Sequence, residues 1–194
     1  LVAKRVAQKQ HSLRIISGKW RSRKVVYGAH AAVRPTPARL RETLFNWLGV
    51  SCVNALLLDL FAGSGSLGFE ALSRGAKQVV FVDQEPQVIA ALMAQKEVLS
   101  ADSATIVRGT VLGSLVLEGV GPFSGVFLDP PFSQNLFKAC VDWLEGCGLL
   151  AVGAWVYCEW PVGGQEPFLG AAWRCKKCYR SGQVVGGLFV RDEL

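Results

Sequence analysis

The chain has 194 residues, of which 51% are hydrophobic and 19% are charged, and its formal net charge is +6. This composition excludes intrinsic disorder and predicts one α/β domain with a small appendage. No acidic residue precedes Glu42, whereas eleven lysines and arginines do. Positive charge gathered at one end predicts a polyanionic partner, and a solvated basic tail is the alternative for residues 1–12.

Several features bear on the setting of the protein. No apolar run reaches the length of a membrane span, and the basic N-terminus lacks the apolar core of a signal peptide. The six cysteines fall mostly in apolar runs, which predicts reduced, buried thiols and a cytoplasmic location without membrane partners. The single C-x-x-C, Cys175 to Cys178, lacks a second ligand pair, so we expect no metal site.

Residues 13–27 predict two short strands around Ser17-Gly18, the pattern of a hairpin. Cations on this hairpin could meet phosphate groups, and Trp20 could stack on a base. The alternative is that Trp20 anchors the hairpin to the core. We take residues 1–34 as a basic, RNA-contacting extension and residues 35–194 as the main domain. The candidate RNA-binding residues of the hairpin are Arg14, Lys19, Trp20, Arg21, Arg23 and Lys24.

A helix is predicted after the hairpin, with Thr36 as its N-cap and Pro37 at its first position. The inward face of this helix holds Leu40, Leu44, Trp47 and Leu48. Arg39 and Arg41 point elsewhere, and cations near a helix start oppose its dipole. Together with the preceding Arg34, they are predicted to contact the polyanion, with an ordinary charged surface as the alternative.

From residue 55 the chain alternates between strand and helix patterns. Strands are predicted at 56–60, 78–82, 104–107, 125–128 and 154–159, helices at 66–74, 86–99, 111–117 and from Ser133 to about Glu145, and a closing hairpin at 171–179 and 183–190. Met93 is placed on the inward face of the second of these helices. The alternation predicts a mostly parallel, Rossmann-like sheet of seven strands with helices on both faces.

A glycine-rich turn follows the first of these strands, in the sequence LLLDLFAGSGSLG. Gly63, Gly65 and Gly68 match G-x-G-x-x-G, and Asp83 follows about 20 residues later, where an acid that binds ribose is expected. Asp59 adds a carboxylate at the strand end. The pattern predicts a site for a nicotinamide dinucleotide or for S-adenosylmethionine, and a tight turn with an exposed Asp is the alternative.

The second chemical motif is Asp129-Pro130-Pro131-Phe132, directly after the apolar run GVFL. Ligands of open parallel sheets bind beyond the carboxyl ends of the strands. A carboxylate and a proline carbonyl held rigidly can accept both hydrogens of an exocyclic amine, and Phe132 offers a flat face for an extruded base. The alternative is an Asp-Pro turn with a buried Phe.

Five segments together carry a family resemblance. LRIISGKWR, RPTPARLRETLFNWL, LDLFAGSGSLGFEALSRGA, FLDPPF and the terminal GQVV resemble the D-type bacterial methyltransferases that act on guanine N2 in 16S ribosomal RNA. These are class I S-adenosylmethionine-dependent methyltransferases, and the resemblance runs from about Leu13 to the C-terminus. It implies S-adenosylmethionine as the methyl donor and the 2-amino group of one guanine, the guanine-966 type, as the acceptor.

The resemblance also implies roles for particular residues. The guanine would be held by the catalytic residues Asp129, Pro130, Pro131 and Phe132. The cofactor would be lined by Asp59, Phe61, Gly63 and Gly65, with Asp83 at the ribose. An acid or amide often stands near the adenine in such enzymes. This chain has Arg108-Gly109-Thr110 at that point, which leaves Thr110 as a weak substitute. The implied partner is 16S rRNA, naked or in an assembling 30S particle, and the implied state is a monomer.

Three other functions remain open at this point. A nicotinamide-dependent dehydrogenase would share the glycine spacing and Asp83 but would leave the basic end unexplained. A non-catalytic RNA-binding or ribosome assembly factor would use the basic end and leave the cleft idle. A DNA amino-methyltransferase would share the DPPF motif but would normally need a separate base-reading domain.

Overall fold

The computed structural model describes residues 10–28, 35–113, 115, 117, 119–131 and 136–191. The elements in chain order are β1 (Gln10–Arg14), β2 (Lys24–Gly28), α1 (Ala38–Leu48), a 3-10 turn (Gly49–Cys52), β3 (Leu56–Asp59), α2 (Ser66–Ser73), β4 (Gln78–Asp83), α3 (Pro86–Leu99), β5 (Ala104–Arg108), β6 (Phe123–Leu128), α4 (Phe137–Gly146), β7 (Leu150–Pro161), β8 (Trp173–Ser181) and β9 (Val184–Arg191).

Seven of the strands form one sheet in the order β5-β4-β3-β6-β7-β9-β8. The first five in this order are parallel, and β9 runs antiparallel to both β7 and β8. The prediction of a mostly parallel seven-stranded sheet is confirmed. Because β3 lies between β4 and β6, chain order reverses at this point, and the crevice beyond these strand ends is where ligands bind in such sheets.

The sheet is covered on both faces, which explains why its central strands are apolar throughout. One cluster packs the sheet against α1, α2 and α3, with Leu44, Phe69 and Phe127 among its members. The other packs the sheet against α4, with Val126 and Val141 among its members. Helices on both faces therefore agree with the prediction.

The α2 helix approaches the sheet closely because Gly68 has no side chain. A Cβ atom at this position would lie 2.2 Å from a ring carbon of Phe81 on β4. The third glycine of the G-x-G-x-x-G pattern therefore serves helix–strand packing. The N–H of Gly68 also donates to the Asp59 carboxylate at 3.1 Å, which joins the end of β3 to the start of α2.

The N-terminal hairpin packs on the outer side of α2 and α3. The N–H groups of Ile16 and Ser17 donate to the two carboxylate oxygens of Glu70, at 2.8 and 3.0 Å. The N–H of Val26 donates to the Gln95 side chain at 2.9 Å. Gly18, at φ +83°, lets the loop approach α2 so closely that a Cβ atom would lie 1.8 Å from the Ser73 carbonyl oxygen.

The hairpin strands differ in extent from the prediction. They pair from Gln10 with Gly28 to Arg14 with Lys24, so the turn is the long segment 15–23 rather than Ser17-Gly18 alone. Its backbone hydrogen bonds go to Glu70 and Ser73 on α2 as well as to itself. The predicted boundary at residue 34 lies outside the described residues and stays a prediction.

The start of α1 corrects a predicted cap. The helix begins at Ala38 with Pro37 as the N-cap residue and with no side-chain cap. Thr36 is buried, and its hydroxyl hydrogen-bonds Glu159 at the end of β7 instead. The predicted apolar face is confirmed, since Leu40, Leu44 and Leu48 are buried and Trp47 is half-buried.

Three further predictions fail. The described residues between 111 and 117 form turns without a helix. Met93 is exposed, because the buried stripe of α3 runs through Val88, Leu92 and Gln95. Of the six cysteines, three are buried (Cys52, Cys140 and Cys158), Cys175 is half-buried, and Cys147 and Cys178 are exposed. The predicted start of the fourth helix at Ser133 lies outside the described residues.

The described helices are all too short or too polar to cross a membrane. Within the same residues, no three side chains of His, Cys, Asp or Glu gather as metal ligands would.

Candidate active site

The glycine-rich turn joins the carboxyl end of β3 to the start of α2. Gly63 and Gly65 have φ values of +49° and +70°, a left-handed conformation that glycine adopts without a Cβ penalty. Gly65 is the N-cap of α2. The helix itself offers no acceptor to the N–H groups of Ser66 and Leu67 in its first turn. The turn therefore presents backbone donors at the carboxyl edge of the sheet, where a polar ligand can bind.

Asp83, at the end of β4, braces this turn. One of its carboxylate oxygens accepts the N–H of Gly63 at 3.0 Å, and the other accepts the N–H of Glu85 at 2.9 Å. Asp83 is half-buried. An ionised carboxylate has about four lone-pair sites, so these two bonds leave capacity for a further donor such as a ribose hydroxyl.

Asp59 lies beneath the turn rather than open to it. It is 4% exposed, and its carboxylate accepts the N–H of Gly68 at 3.1 Å. Burial raises the pKa of Asp59 to about 8, against the lowering effect of the Gly68 N–H; Asp83 and Glu159 raise it further. The placement makes Asp59 a support of the turn from below.

The other predicted cofactor residues lie along the same edge. Phe61 is half-buried against the core cluster on the α4 side. The N–H of Gly109 donates to the Asp83 carbonyl at 3.1 Å, which brings the turn after β5 beside the end of β4. Thr110 is exposed in that turn, and its carbonyl accepts the N–H groups of Gly113 and Leu115.

The DPP segment begins where β6 ends, one strand away from the glycine-rich turn. The N–H of Leu60 donates to the carbonyl of Phe127 at 3.0 Å, which joins the two strand ends directly. Asp129 is half-buried, Pro130 is buried and Pro131 is exposed. The two motifs therefore follow adjacent strand ends at the carboxyl edge of the sheet, as the sequence predicts. Phe132 lies outside the described residues.

Asp129 has two acidic neighbours. Burial raises its pKa well above the usual range, and the charges of Glu159 and Asp59 raise it further. Leu128 pairs with Cys158 in the sheet, so Asp129 and Glu159 stand next to each other at the ends of β6 and β7. The carboxyl ends of β3, β6 and β7 thus each carry an acid.

Sequence reasoning missed Glu159 and its partners. Glu159 is 3% exposed, and its carboxylate accepts the Tyr157 hydroxyl at 3.0 Å as well as the Thr36 hydroxyl. Burial raises the pKa of Glu159 to about 7, against the lowering effects of Thr36, Tyr157 and Arg41. An acid at the end of the apolar run AWVYCE was the available signal, because it has the same position on its strand as Asp129.

The sequence and the fold match those of known proteins. Residues 13–189 match the family model described as conserved hypothetical protein 95. Ribosomal RNA small subunit methyltransferase D of Escherichia coli strain K12 is 39% identical over 180 residues, which cover 93% of this chain and 90% of that protein. The chain belongs to the ribosomal RNA small subunit methyltransferase D family. The resemblance inferred from the motifs is therefore confirmed.

Other relatives agree with this assignment. The Haemophilus influenzae ribosomal RNA small subunit methyltransferase D is 41% identical over 76% of this chain and 78% of its own length. A solved Escherichia coli structure, assigned as a methyltransferase, has a TM-score of 0.82 and 38% identity over 95% of this chain and all of that chain.

A more distant structure shares the fold. An RNA methyltransferase from Salinibacter ruber in complex with S-adenosyl-L-homocysteine has a TM-score of 0.62 and 20% identity over 83% of this chain and 95% of its own. This likeness shows the fold alone, and S-adenosyl-L-homocysteine is the ligand of that protein. The dehydrogenase alternative receives no support from these relatives.

In this member of the methyltransferase D family, two predicted RNA contacts are buried. The Trp20 ring is 6% exposed and belongs to the core cluster, so a base cannot stack on it, and the anchoring alternative holds. Arg41 is 3% exposed, lies 3.6 Å from Glu70 and donates to the Arg14 carbonyl at 3.1 Å. Both residues serve the docking of the hairpin, which corrects their predicted role.

The remaining hairpin cations are exposed, but they lie away from the crevice. The loop that carries Lys19 contacts Ser73, the last residue of α2, and Arg23 donates to the carbonyl of Val98 near the end of α3. Both helices begin at the carboxyl edge of the sheet and end at the opposite edge. Arg39, in contrast, is exposed in the first turn of α1, next to Leu40. Arg34 lies outside the described residues.

Proposed function

We propose that this protein transfers a methyl group from S-adenosylmethionine to the exocyclic N2 of a guanine in 16S rRNA, the guanine-966 type. The observation that carries the proposal is the shared crevice. The glycine-rich turn and the Asp129-Pro130 segment follow adjacent strand ends joined by the Leu60–Phe127 hydrogen bond of 3.0 Å. A cofactor bound at the glycine-rich turn and an amine bound at the Asp129-Pro130 segment would be neighbours.

The residues at the turn fit S-adenosylmethionine. The backbone donors of α2 suit its polar end, the remaining acceptor capacity of Asp83 suits ribose hydroxyls, and half-buried Phe61 suits an apolar ring. When bound, S-adenosylmethionine supplies a methyl group already activated for transfer. Thr110 is proposed near the adenine. Asp59 supports Gly68 and with it the start of α2.

The DPP segment would orient and activate the amine. The Asp129 carboxylate and the Pro130 carbonyl can each accept one N–H of the 2-amino group, which favours a pyramidal, nucleophilic nitrogen. The carboxylate also faces the positive charge that develops on this nitrogen, and fixed charges placed so are among the largest catalytic effects. One amine proton leaves after transfer, to Asp129 or to water.

Ionisation of Asp129 is part of this proposal. Because its pKa is raised by burial, Glu159 and Asp59, the carboxylate is available only as the pH rises through that value. Glu159 is held by the hydroxyls of Tyr157 and Thr36, which fix its position beside Asp129. Methyl transfer is therefore expected to fall steeply with acidification.

The rRNA would be held by the exposed cations. Arg39 stands near the crevice, whereas Arg14, Lys19, Arg21, Arg23 and Lys24 would contact phosphates at the opposite edge. The relatives named ribosomal RNA small subunit methyltransferase D support rRNA as the substrate. The proposed working form is a cytoplasmic monomer that acts on naked RNA or on an assembling 30S particle.

The deciding experiment is methylation of deproteinised and particle-bound 16S RNA with labelled donor, followed by mapping of the modified nucleoside. We expect N2-methylguanosine at one position. Asp129→Asn should lower the rate by roughly 100- to 1,000-fold. A control at exposed Asp142, Asp142→Asn, should leave it unchanged. Label on another base, on DNA, or undiminished label with Asp129→Asn would reject the proposed chemistry.

A further inference from the structure

The edge strand β8 carries a second group of cations, separate from those of the N-terminal hairpin. Its sequence, WRCKKCYRS, holds two arginines and two lysines and no acid. Lys176, Lys177 and Arg180 are exposed, and Tyr179 between them is 41% exposed. Lys176 lies where the pairing with β9 is shifted by one residue. An exposed aromatic ring among cations is the composition of a surface that binds single-stranded nucleic acid.

This group lies level with the proposed catalytic residues. Glu159 pairs with Gly186 on β9, and Gly186 pairs with Tyr179 on β8. Neighbouring strands are about 4.8 Å apart, so the Tyr179 backbone lies about 10 Å from that of Glu159, and Asp129 lies about one strand further. The end of β8 is thus at the same edge of the sheet as the crevice.

The position between Glu159 and Tyr179 in the sheet carries no side chain. Gly186 contributes none, and a Cβ atom there would lie 2.4 Å from the Tyr157 hydroxyl oxygen and 2.8 Å from Leu40 on α1. Directly paired antiparallel residues share a face, so Tyr179 and Lys177 stand on the face that α1 covers, whereas Arg180, paired with Val185, stands on the other face at the free edge of β8. Arg39, next to Leu40 and exposed, lies on the same side of the molecule.

We propose that β8 forms a flanking RNA-binding surface, in which Lys176, Lys177 and Arg180 hold phosphates and Tyr179 stacks on a base near the target guanine. The inference rests on the proposed function and deepens it. A separation of about 14 Å between Tyr179 and Asp129 corresponds to about four stacked nucleotides. Two acids border this strand: Glu166 lines the groove beside β8, and Glu145 accepts the Trp173 ring N–H at the start of β8.

The test compares charge removal at the two edges of the sheet. The variant Lys176→Gln/Lys177→Gln removes two charges at β8. The control Lys77→Gln/Lys96→Gln removes two charges near the start of β4 and the end of α3, at the edge away from the crevice. Binding is measured on a short RNA around the target guanine, which does not reach the opposite edge, and cofactor affinity is measured separately by calorimetry with S-adenosylmethionine.

Two lost phosphate contacts should weaken RNA binding roughly 25-fold at about 0.1 M salt, with a salt slope shallower by about 1.4. Affinity for S-adenosylmethionine and the rate at saturating RNA should stay unchanged. An equal loss in the control pair would reduce the effect to net charge and overturn the inference. So would unchanged RNA affinity in the β8 variant.

A second pair of variants tests the ring. Tyr179→Ala should weaken RNA binding by at least about five-fold, whereas Tyr179→Phe should keep it, because stacking needs the ring and not the hydroxyl. If Lys176→Gln/Lys177→Gln does not fold, Arg180→Gln and these tyrosine variants decide the question. Sedimentation must show the same mass for all variants, since a change would mean that β8 pairs with a second copy, which overturns the inference.

Failure of the β8 surface can be distinguished from failure of the proposed methyl transfer. If the wild-type protein binds RNA through β8 but transfers no methyl group to it, the proposed function fails and the surface stands. If methyl transfer proceeds normally and the β8 variants match the wild type, the surface fails and the proposed function stands.

Discussion

The two hairpins of this molecule look alike in sequence but occupy opposite situations. Both carry an aromatic residue among several cations, Trp20 in the β1–β2 hairpin and Tyr179 in the β8–β9 hairpin. The first is fastened to α2 through Glu70 and Ser73, and its aromatic ring is buried. The second is part of the sheet, and its ring is exposed level with the crevice. Charge and aromatic content alone therefore do not distinguish a hairpin that packs on the core from one that is exposed beside the crevice.

The aromatic pair gives the largest expected difference. Trp20→Ala removes a buried ring and should lower the free energy of unfolding by about 3–5 kcal/mol. Tyr179→Ala removes a largely solvated ring and should lower it by about 0.5 kcal/mol. Urea titration of both variants measures this. Equal losses would show that both hairpins are structural.

The two loop glycines give a smaller, sterically defined difference. Gly18 and Gly182 both have positive φ values, +83° and +61°. A Cβ atom at Gly18 would collide with the Ser73 carbonyl, whereas one at Gly182 meets nothing within 4 Å. Gly18→Ala should cost about 3 kcal/mol, because crowding adds to backbone strain, and Gly182→Ala about 1 kcal/mol.

Thermal unfolding of the two glycine variants is the measurement. Matched losses would mean that the close contact between the hairpin loop and α2 is absent in solution.

The two hairpins also differ in how their acidic neighbours make stability depend on pH. Glu70, under the first hairpin, is paired with Arg41 and Arg74. Glu159, beside the second, has a pKa raised to about 7, from about 4.3 in an unfolded chain. A raised folded pKa means that its stabilising contribution is complete below about pH 4 and is lost as the pH rises toward 7.

The free energy of unfolding of the wild type should therefore fall between about pH 4 and pH 7 through this group. Glu159→Gln keeps an acceptor for the Tyr157 hydroxyl but cannot titrate, so its profile should be flatter in that range. Denaturation at a series of pH values checks this. A wild-type profile that rises as steeply as that of the variant would contradict it.

The exposed cations give the smallest and most selective difference. Arg21→Gln should weaken binding of full-length 16S RNA by about five-fold and leave a short RNA around the target guanine unaffected, because Arg21 lies about one α2 length, roughly 12 Å, from the crevice level. Arg180→Gln should weaken both RNAs. A uniform loss with both variants would place the two hairpins in the same role.

Much of the fold was predictable because its signals are local. Buried parallel strands read as apolar runs, and glycine spacing marks the turn into α2, so the order of elements and the meeting of the two motifs followed from sequence. The bounds of α3, Pro86–Leu99, were also predicted. Local signals sufficed wherever the environment of a residue is determined by its neighbours in the chain.

The failures share a non-local cause. Arg41 looked like a surface cation because its partner, Glu70, is 29 residues away, and Trp20 donates its backbone N–H to Ser73 on α2, 53 residues later. Thr36 was predicted to be a helix cap, yet its hydroxyl hydrogen-bonds Glu159, which is distant in the sequence. The roles of polar residues that bridge distant elements could not be predicted without the topology.

The paired hydrogen bonds from the backbone of Ile16 and Ser17 to Glu70 have a consequence for dynamics. The hairpin loop and the helix that starts at the glycine-rich turn are joined by the buried Glu70 carboxylate. Separating them would leave this carboxylate without two of its hydrogen-bond donors. The two should therefore open as a single cooperative unit. A ligand that steadies the beginning of α2 would then slow amide hydrogen exchange at Ile16 and Ser17, at the far end of the helix, without touching either residue.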